Sequence, residues 1–166
     1  MLRKLIFQNN IYTVRLFPFF KNKSFFSPEE NEKIVKAIQD AEMQTSGEIR
    51  IFVEGRCKYV DPLDRAEEIF IKLEMQKTEY RNGVLFYIAL KDKQLAIYAD
   101  SGIHAATGPA HWKNVVQQIL SVFSQESIVA GITTAIGKIG EALKEHFPYD
   151  KLVDKNELPD EIIFGN

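Results

Sequence analysis

Residues 81–104, RNGVLFYIALKDKQLAIYADSGIH, constrain the fold more than any other stretch of the chain. Two apolar runs of strand length flank a polar turn at Lys91-Asp92-Lys93. The first run, 84–90, is almost wholly apolar, as a strand must be when both faces of its sheet are covered. The second, 94–99, follows so closely that the two pair as an antiparallel hairpin. A hairpin brings its outer ends together, so Arg81-Asn82 and Asp100-Ser101 meet at one rim. Register decides what they make there, because a slip of one residue exchanges the faces. A three-residue turn puts Asp100 on the face of Asn82, which suits a hard cation or a water. A two-residue turn puts Asp100 on the face of Arg81, which suits a salt bridge or a small bound anion.

Around this hairpin the sequence places helices by their start signals. Ser27-Pro28-Glu29-Glu30 has the form of a capping box with proline in the first turn. Ile34, Val35, Ile38 and Ala41 then recur at helical spacing, and Thr45-Ser46-Gly47 closes the segment. Residues 48–54 form a strand with Ile49, Ile51 and Val53 on one face. Asp61-Pro62 starts a second helix with the stripe Ala66, Ile69, Phe70 and Leu73; Asp61 and Asp64 there are read as capping acids. Pro109 opens a third, striped by Trp112, Val115, Val116, Ile119, Leu120 and Phe123. A fourth spans about 127–145 through Ile128, Ile132, Ile136, Ile139 and Leu143. Its Gly131, Gly137 and Gly140 suggest a close approach to a neighbouring helix. The acidic tail is expected to pack as an extended arm through Leu158, Ile162, Ile163 and Phe164.

The order helix, strand, helix, strand, strand, helix, helix gives a three-layer α/β/α sandwich around a small mixed β-sheet. The strand-helix-strand unit is a right-handed parallel crossover and the last strand returns antiparallel. This divides the chain into a basic N-terminal extension (1–23), the sandwich (24–147) and an acidic C-terminal arm (148–166). The extension carries Arg3, Lys4, Arg15, Lys21 and Lys23 and no acid. Polar residues interrupt it, so it has neither a secretory core nor a transmembrane run. It is expected to be loose, with peripheral membrane contact as its functional alternative. The formal charge of -2 offers no broad basic field for nucleic acid. A lone cysteine, Cys57, fits a reducing, cytoplasmic setting.

The same topology gathers Thr45, Ser46 and Glu48 with Arg81, Asn82, Asp100 and Ser101 at one rim. Strands lie about 4.8 Å apart, so the outer two of three are separated by about 10 Å. Two oxygens on one calcium ion are at most about 5 Å apart. Asp100 with Asn82 is therefore an easier metal pair than Asp100 with Glu48. At the opposite rim, Glu54-Gly55-Arg56-Cys57-Lys58 reads as a plain turn. No phosphate-binding glycine loop is present, and His104 and His111 lack further ligands at zinc-like spacing.

The blocks AEMQTSGEIRIFVE (41–54), DPLDRAEEIF (61–70), KTEYRNGVLFYIAL (77–90) and AIYADSGIH (96–104), with the Trp112 helix and the ending NELPDEIIFGN, resemble the TPM domain family in its free-standing bacterial form. The resemblance implies an α/β/α fold. It also implies a range of activities: some members are described as acid phosphatases, some bind calcium, and others are accessory proteins of membrane complexes. The positions that match the family pattern are Thr45, Ser46, Glu48, Arg81, Asn82, Asp100 and Gly102. Two departures stand out. Glu74 replaces a usual glycine, and Ser101 with residues 104–107 replaces a more charged loop, which would hold a cation less tightly. Two readings follow. The first is a binding or accessory module for a protein partner, with calcium or another divalent cation at Asp100 and Asn82. The alternative is a weak phosphate-ester hydrolase. There Asp100 would hold the cation or water, Glu48 would assist proton transfer and Arg81 would neutralise phosphate, with Thr45, Ser46, Asn82, Ser101 and Gly102 lining the site. The absence of a recognisable nucleophile favours the first.

Overall fold

The computed structural model describes residues 11–15, 25–125, 127–151 and 156–165. In chain order the elements are β1 (Ile11–Arg15), α1 (Pro28–Glu42), β2 (Glu48–Glu54), α2 (Pro62–Lys72), β3 (Gly83–Ala89), β4 (Gln94–Ala99), α3 (Ser101–Thr107), α4 (Pro109–Gln125), α5 (Ile128–His146) and β5 (Ile163–Phe164). A short 3-10 turn, Met75–Lys77, joins α2 to β3. The side chains of residues 11–15 and of Val116, Leu120 and Phe123 lie outside the described residues.

The helix starts follow from their caps. Ser27 Oγ accepts from the Glu30 amide at 3.2 Å, and the Glu30 carboxylate accepts from the Ser27 amide at 2.8 Å. Both halves of the capping box are thus made. Asp61 caps α2 through the Leu63 amide at 3.0 Å, and Ser127 caps α5 through the Ala130 amide at 3.2 Å.

The five strands lie in the order β1-β4-β3-β2-β5. β2 and β3 are parallel, joined through α2, with Glu48 opposite Gly83 and Glu54 opposite Ala89. β3 and β4 form the hairpin, with Val84 opposite Ala99 and Ala89 opposite Gln94. The central strands are buried on both faces. One face packs Ile49, Ile51, Val53, Val84, Phe86 and Ile88 against α1, α3, α4 and α5. The other packs Phe52, Leu85, Tyr87 and Ala96 against Ala66, Ile69 and Phe70 of α2. Each such aliphatic or aromatic side chain contributes about 1.5–3 kcal/mol when fully buried. The layers are therefore α2, sheet, and the remaining helices, the α/β/α sandwich that the sequence order implied. Of the α5 glycines, Gly140 does serve close packing: a Cβ there would lie 2.8 Å from Ala41 Cβ. Gly137 faces open space.

Three elements differ from the sequence reading. Residues 11–15 are not loose but pair with β4 as an antiparallel edge strand, Ile11 opposite Tyr98 and Arg15 opposite Gln94. The remainder of the 1–23 extension lies outside the described residues. A seven-residue helix, α3, follows Asp100 directly, where a loop leading to Pro109 was expected. The tail does more than pack: Ile163 and Phe164 pair with Phe52 and Val53, adding a short parallel strand to the other edge.

Candidate functional site

The hairpin register settles the geometry of the rim. With Ala89 opposite Gln94, residues 90–93 form a four-residue loop, which has the same parity as a two-residue turn. Asp100 therefore shares the face of Arg81 and Tyr98, while Asn82 belongs to the opposite face with Val84. Arg81 Nε donates to Asp100 Oδ2 at 2.7 Å and Arg81 Nη2 donates to Oδ1 at 2.8 Å. This two-pronged pair fits the planar guanidinium to the carboxylate. Asp100 raises the affinity of Arg81 for its proton further above the ordinary value, chiefly through that hydrogen bonding.

Asp100 has a second duty. It is the N-cap of α3, and its Oδ1 accepts from the Ser101 amide at 2.6 Å. The next two amides of α3, Gly102 and Ile103, donate to the Arg81 carbonyl at 2.9 and 3.3 Å. Amides at the start of a helix lack intrahelical partners, so the Arg81 segment supplies them. Arg81 adopts a left-handed φ of 52° to present that carbonyl. Gly102 is required by the same contact, since a Cβ would press on the Tyr80 carbonyl oxygen and lie 2.7 Å from that of Arg81. Arg81, Asp100, Ser101 and Gly102 form a clasp between the start of β3 and α3.

The other expected rim residues face elsewhere. Thr45 is buried; its hydroxyl donates to the Phe147 carbonyl at 2.5 Å and accepts from the Gly47 amide at 3.0 Å. The Ser46 amide donates to the same carbonyl at 3.0 Å. Asn82 is fully buried, with Nδ2 3.4 Å from Ser46 Oγ and Oδ1 without a partner. These three residues knit the α1–β2 loop to the end of α5. Asp100 and Asn82 thus do not converge, and both Asp100 oxygens already face a guanidinium. As placed here, the pair does not fit a calcium ion.

Glu48 also leaves the clasp. It points to the α2 side of β2, at the sheet edge covered by the C-terminal arm, and is only 4% exposed. Its Oε1 accepts from the Glu157 amide at 2.8 Å, while Oε2 has no partner. Burial, above all, pushes its carboxyl up to about 7. Glu42, at the end of α1, accepts from the Ile49 amide at 2.7 Å, and the charges of Glu48 and Asp160 act on it. Its carboxyl is pushed up to about 9, again first by burial. Arg50 lies among these acids, 7% exposed, with Nε unpartnered. Burial lowers the affinity of Arg50 for its proton while the charges of Glu42, Glu48, Asp160 and Glu161 act to raise it. Sequence reasoning missed this cluster. Its one visible signal was the charge alternation Glu48, Arg50 in a buried strand.

At the opposite rim, Glu54 is completely buried. Arg65 on α2 grips it with two hydrogen bonds of 3.0 and 2.9 Å, and the Tyr87 hydroxyl donates to it at 2.6 Å. Burial, with the hydrogen bonds to Cys57 and Glu54, drives the Tyr87 phenol well above its ordinary value. Residues 55–57 are tied to the hairpin loop by Lys91 N to Gly55 O at 2.7 Å and Cys57 N to Asp92 Oδ2 at 2.8 Å. This is the turn that the sequence suggested, anchored by an internal ion pair.

Fold and rim together define a small α/β/α sandwich whose hairpin end is clasped to the following helix. The TPM domain profile matches residues 19–142, and the chain belongs to the TPM domain family. It is similar to the BA42 protein of the psychrophilic bacterium Bizionia argentinensis, solved by NMR. The two share 40% identity with a TM-score of 0.81, over 87% of this chain and 99% of that one. No curated protein matches the chain. Among the described residues no helix is long and apolar enough to cross a membrane.

Proposed function

We propose that this chain is a binding or accessory module that meets a protein partner, and not a phosphate-ester hydrolase. The observation that carries the reading is the clasp. A hydrolase needs its carboxylate and arginine turned toward a substrate, yet Arg81 and Asp100 are satisfied by one another and by α3. Glu48, the proposed proton carrier, belongs to a separate cluster at the β2 edge.

The same end of the molecule presents apolar surface. Met43, Tyr80 and Tyr149 are exposed around the Thr45–Pro148 bridge. Tyr149 donates its amide to the Gln44 carbonyl, and the Tyr80 ring lies 6.5 Å from that of Phe147. Tyrosine and methionine at a surface, held on a rigid support, are favourable anchors for a protein partner.

The test is an assay of a generic phosphate ester with the purified full chain across acid to neutral pH, with and without calcium or magnesium. The expected result is no turnover above the blank. Turnover that disappears in Asp100→Asn, with that variant still folded, would establish the hydrolase instead.

A further inference from the structure

The C-terminal arm is held over the sheet edge by an unusual set of groups. Its apolar grip is slight: Leu158, Ile162 and Ile163 are only partly buried, and Phe164 is 46% exposed against Phe25 and Phe26. Two residues of strand pairing and the Gly165 amide on the Val53 carbonyl at 2.8 Å complete its backbone contacts with β2. A segment with few buried apolar contacts opens at low cost, so polar terms decide whether it stays down.

Those polar terms are carboxyl groups. Around the arm stand Glu42 on α1, Glu48 and Arg50 on β2, and Glu157, Asp160 and Glu161 on the arm itself. Among the described residues, Arg50 faces Glu42, Glu48, Asp160 and Glu161. Glu42 lies near Glu48 and Asp160, whose negative charges disfavour a further anion there. Glu48 is buried under the arm with one oxygen on the Glu157 amide and the other without a close donor, and this burial outweighs the support that the Glu157 and Leu158 amides give the anion. A neutral carboxyl tolerates that position far better than an anion does.

We propose that the arm is a proton-controlled strap: neutral Glu42 and Glu48 clamp it over the β2 edge, and their ionisation releases it. The direction follows from the raised values. Released, both groups return toward 4.5; docked, they hold their protons up to about 7 for Glu48 and about 9 for Glu42. Docking is thus fully favoured below about pH 4.5 and weakens as pH rises through those two values. Release bares the backbone of Phe52 and Val53, a parallel sheet edge that an extended peptide could join.

The experiment is amide hydrogen exchange by NMR on the full chain, corrected for intrinsic rates, comparing Gly165 and Glu157 with Ile51 and Ile88 in the sheet interior. Between about pH 5.5 and 8.5 the protection of the two arm amides should fall about tenfold or more, while the interior amides hold. In the double variant Glu42→Gln, Glu48→Gln each amide oxygen still accepts but no proton can leave. There, arm protection at the higher pH should remain within about twofold of its value at the lower. Arm protection that is flat with pH in the native chain, or that falls equally in the double variant, overturns the proposal.

Discussion

Gly102→Ala places two opposing effects in one substitution. Gly102 lies in the first turn of α3, and alanine there gains about 1 kcal/mol of helix propensity. Against it stands the clasp. The new Cβ would press on the Tyr80 carbonyl oxygen and come within 2.7 Å of the Arg81 carbonyl oxygen, both backbone atoms that no rotamer change can move. Overpacking of this kind costs about 1–3 kcal/mol. Separating the strands of the clasp also lengthens the Gly102 and Ile103 amide bonds to Arg81, each contributing about 1 kcal/mol net. The balance is a destabilisation of about 2–4 kcal/mol, or roughly 4–16 °C in Tm for a chain of this size. Urea unfolding followed by circular dichroism measures it. Gly137→Ala is the matched control, because nothing lies within 4 Å of its Cβ. That variant should be stabilised by up to about 1 kcal/mol. A Gly102→Ala protein as stable as the native chain would refute the close approach and, with it, the clasp.

Arg65→Ala strands the fully buried Glu54 carboxylate with only the Tyr87 hydroxyl, and should cost about 3–5 kcal/mol in the same unfolding assay. Asp100→Ala removes the α3 cap and the Arg81 pair; with Arg81 half exposed the pair adds little, so the loss should be about 1–2 kcal/mol. Titration with millimolar calcium should leave the NMR amide shifts of Asn82 and Asp100 unmoved, and saturable shifts there would restore a cation to the rim.

Much of the fold was legible because local signals agreed with the global pattern. Ser27, Asp61 and Ser127 announced three helices, and the apolar runs at 84–90 and 94–99 announced the central hairpin. The β1 strand was not legible: IYTVR has strand-like residues but no flanking turn signals, and the basic charge around it suggested a loose tail. The α3 helix was missed because seven residues are too few for a periodic stripe, although Asp100-Ser101 is itself a cap signal. Register was the harder loss. The sequence offered two parities for the turn, and only the pairing of Ala89 with Gln94 shows that residues 90–93 all belong to the loop. That one step decides whether Asp100 meets Arg81 or Asn82.

The polar residues at the amino ends of β2 and β3 look like one site in the sequence and are three in space. Sheet parity sends Asn82 to the α5 side, where it joins Ser46 and Thr45. It sends Arg81 to the other face with Asp100, where the turn into α3 locks both. Glu48 lies on the α2 side of β2, but one strand further out, under the arm with Glu42 and Arg50. With about 10 Å between alternate strands and β3 standing between them, the three groups do not converge on one point. Each group instead fastens one joint: loop to helix, strand to helix, and arm to sheet edge. The first two joints are closed by neutral hydrogen bonds or a matched ion pair, which leaves little for a proton to change near neutrality. The third lies among carboxyls whose hold on a proton burial strengthens, so of the three joints it is the one that the proposed strap makes sensitive to pH.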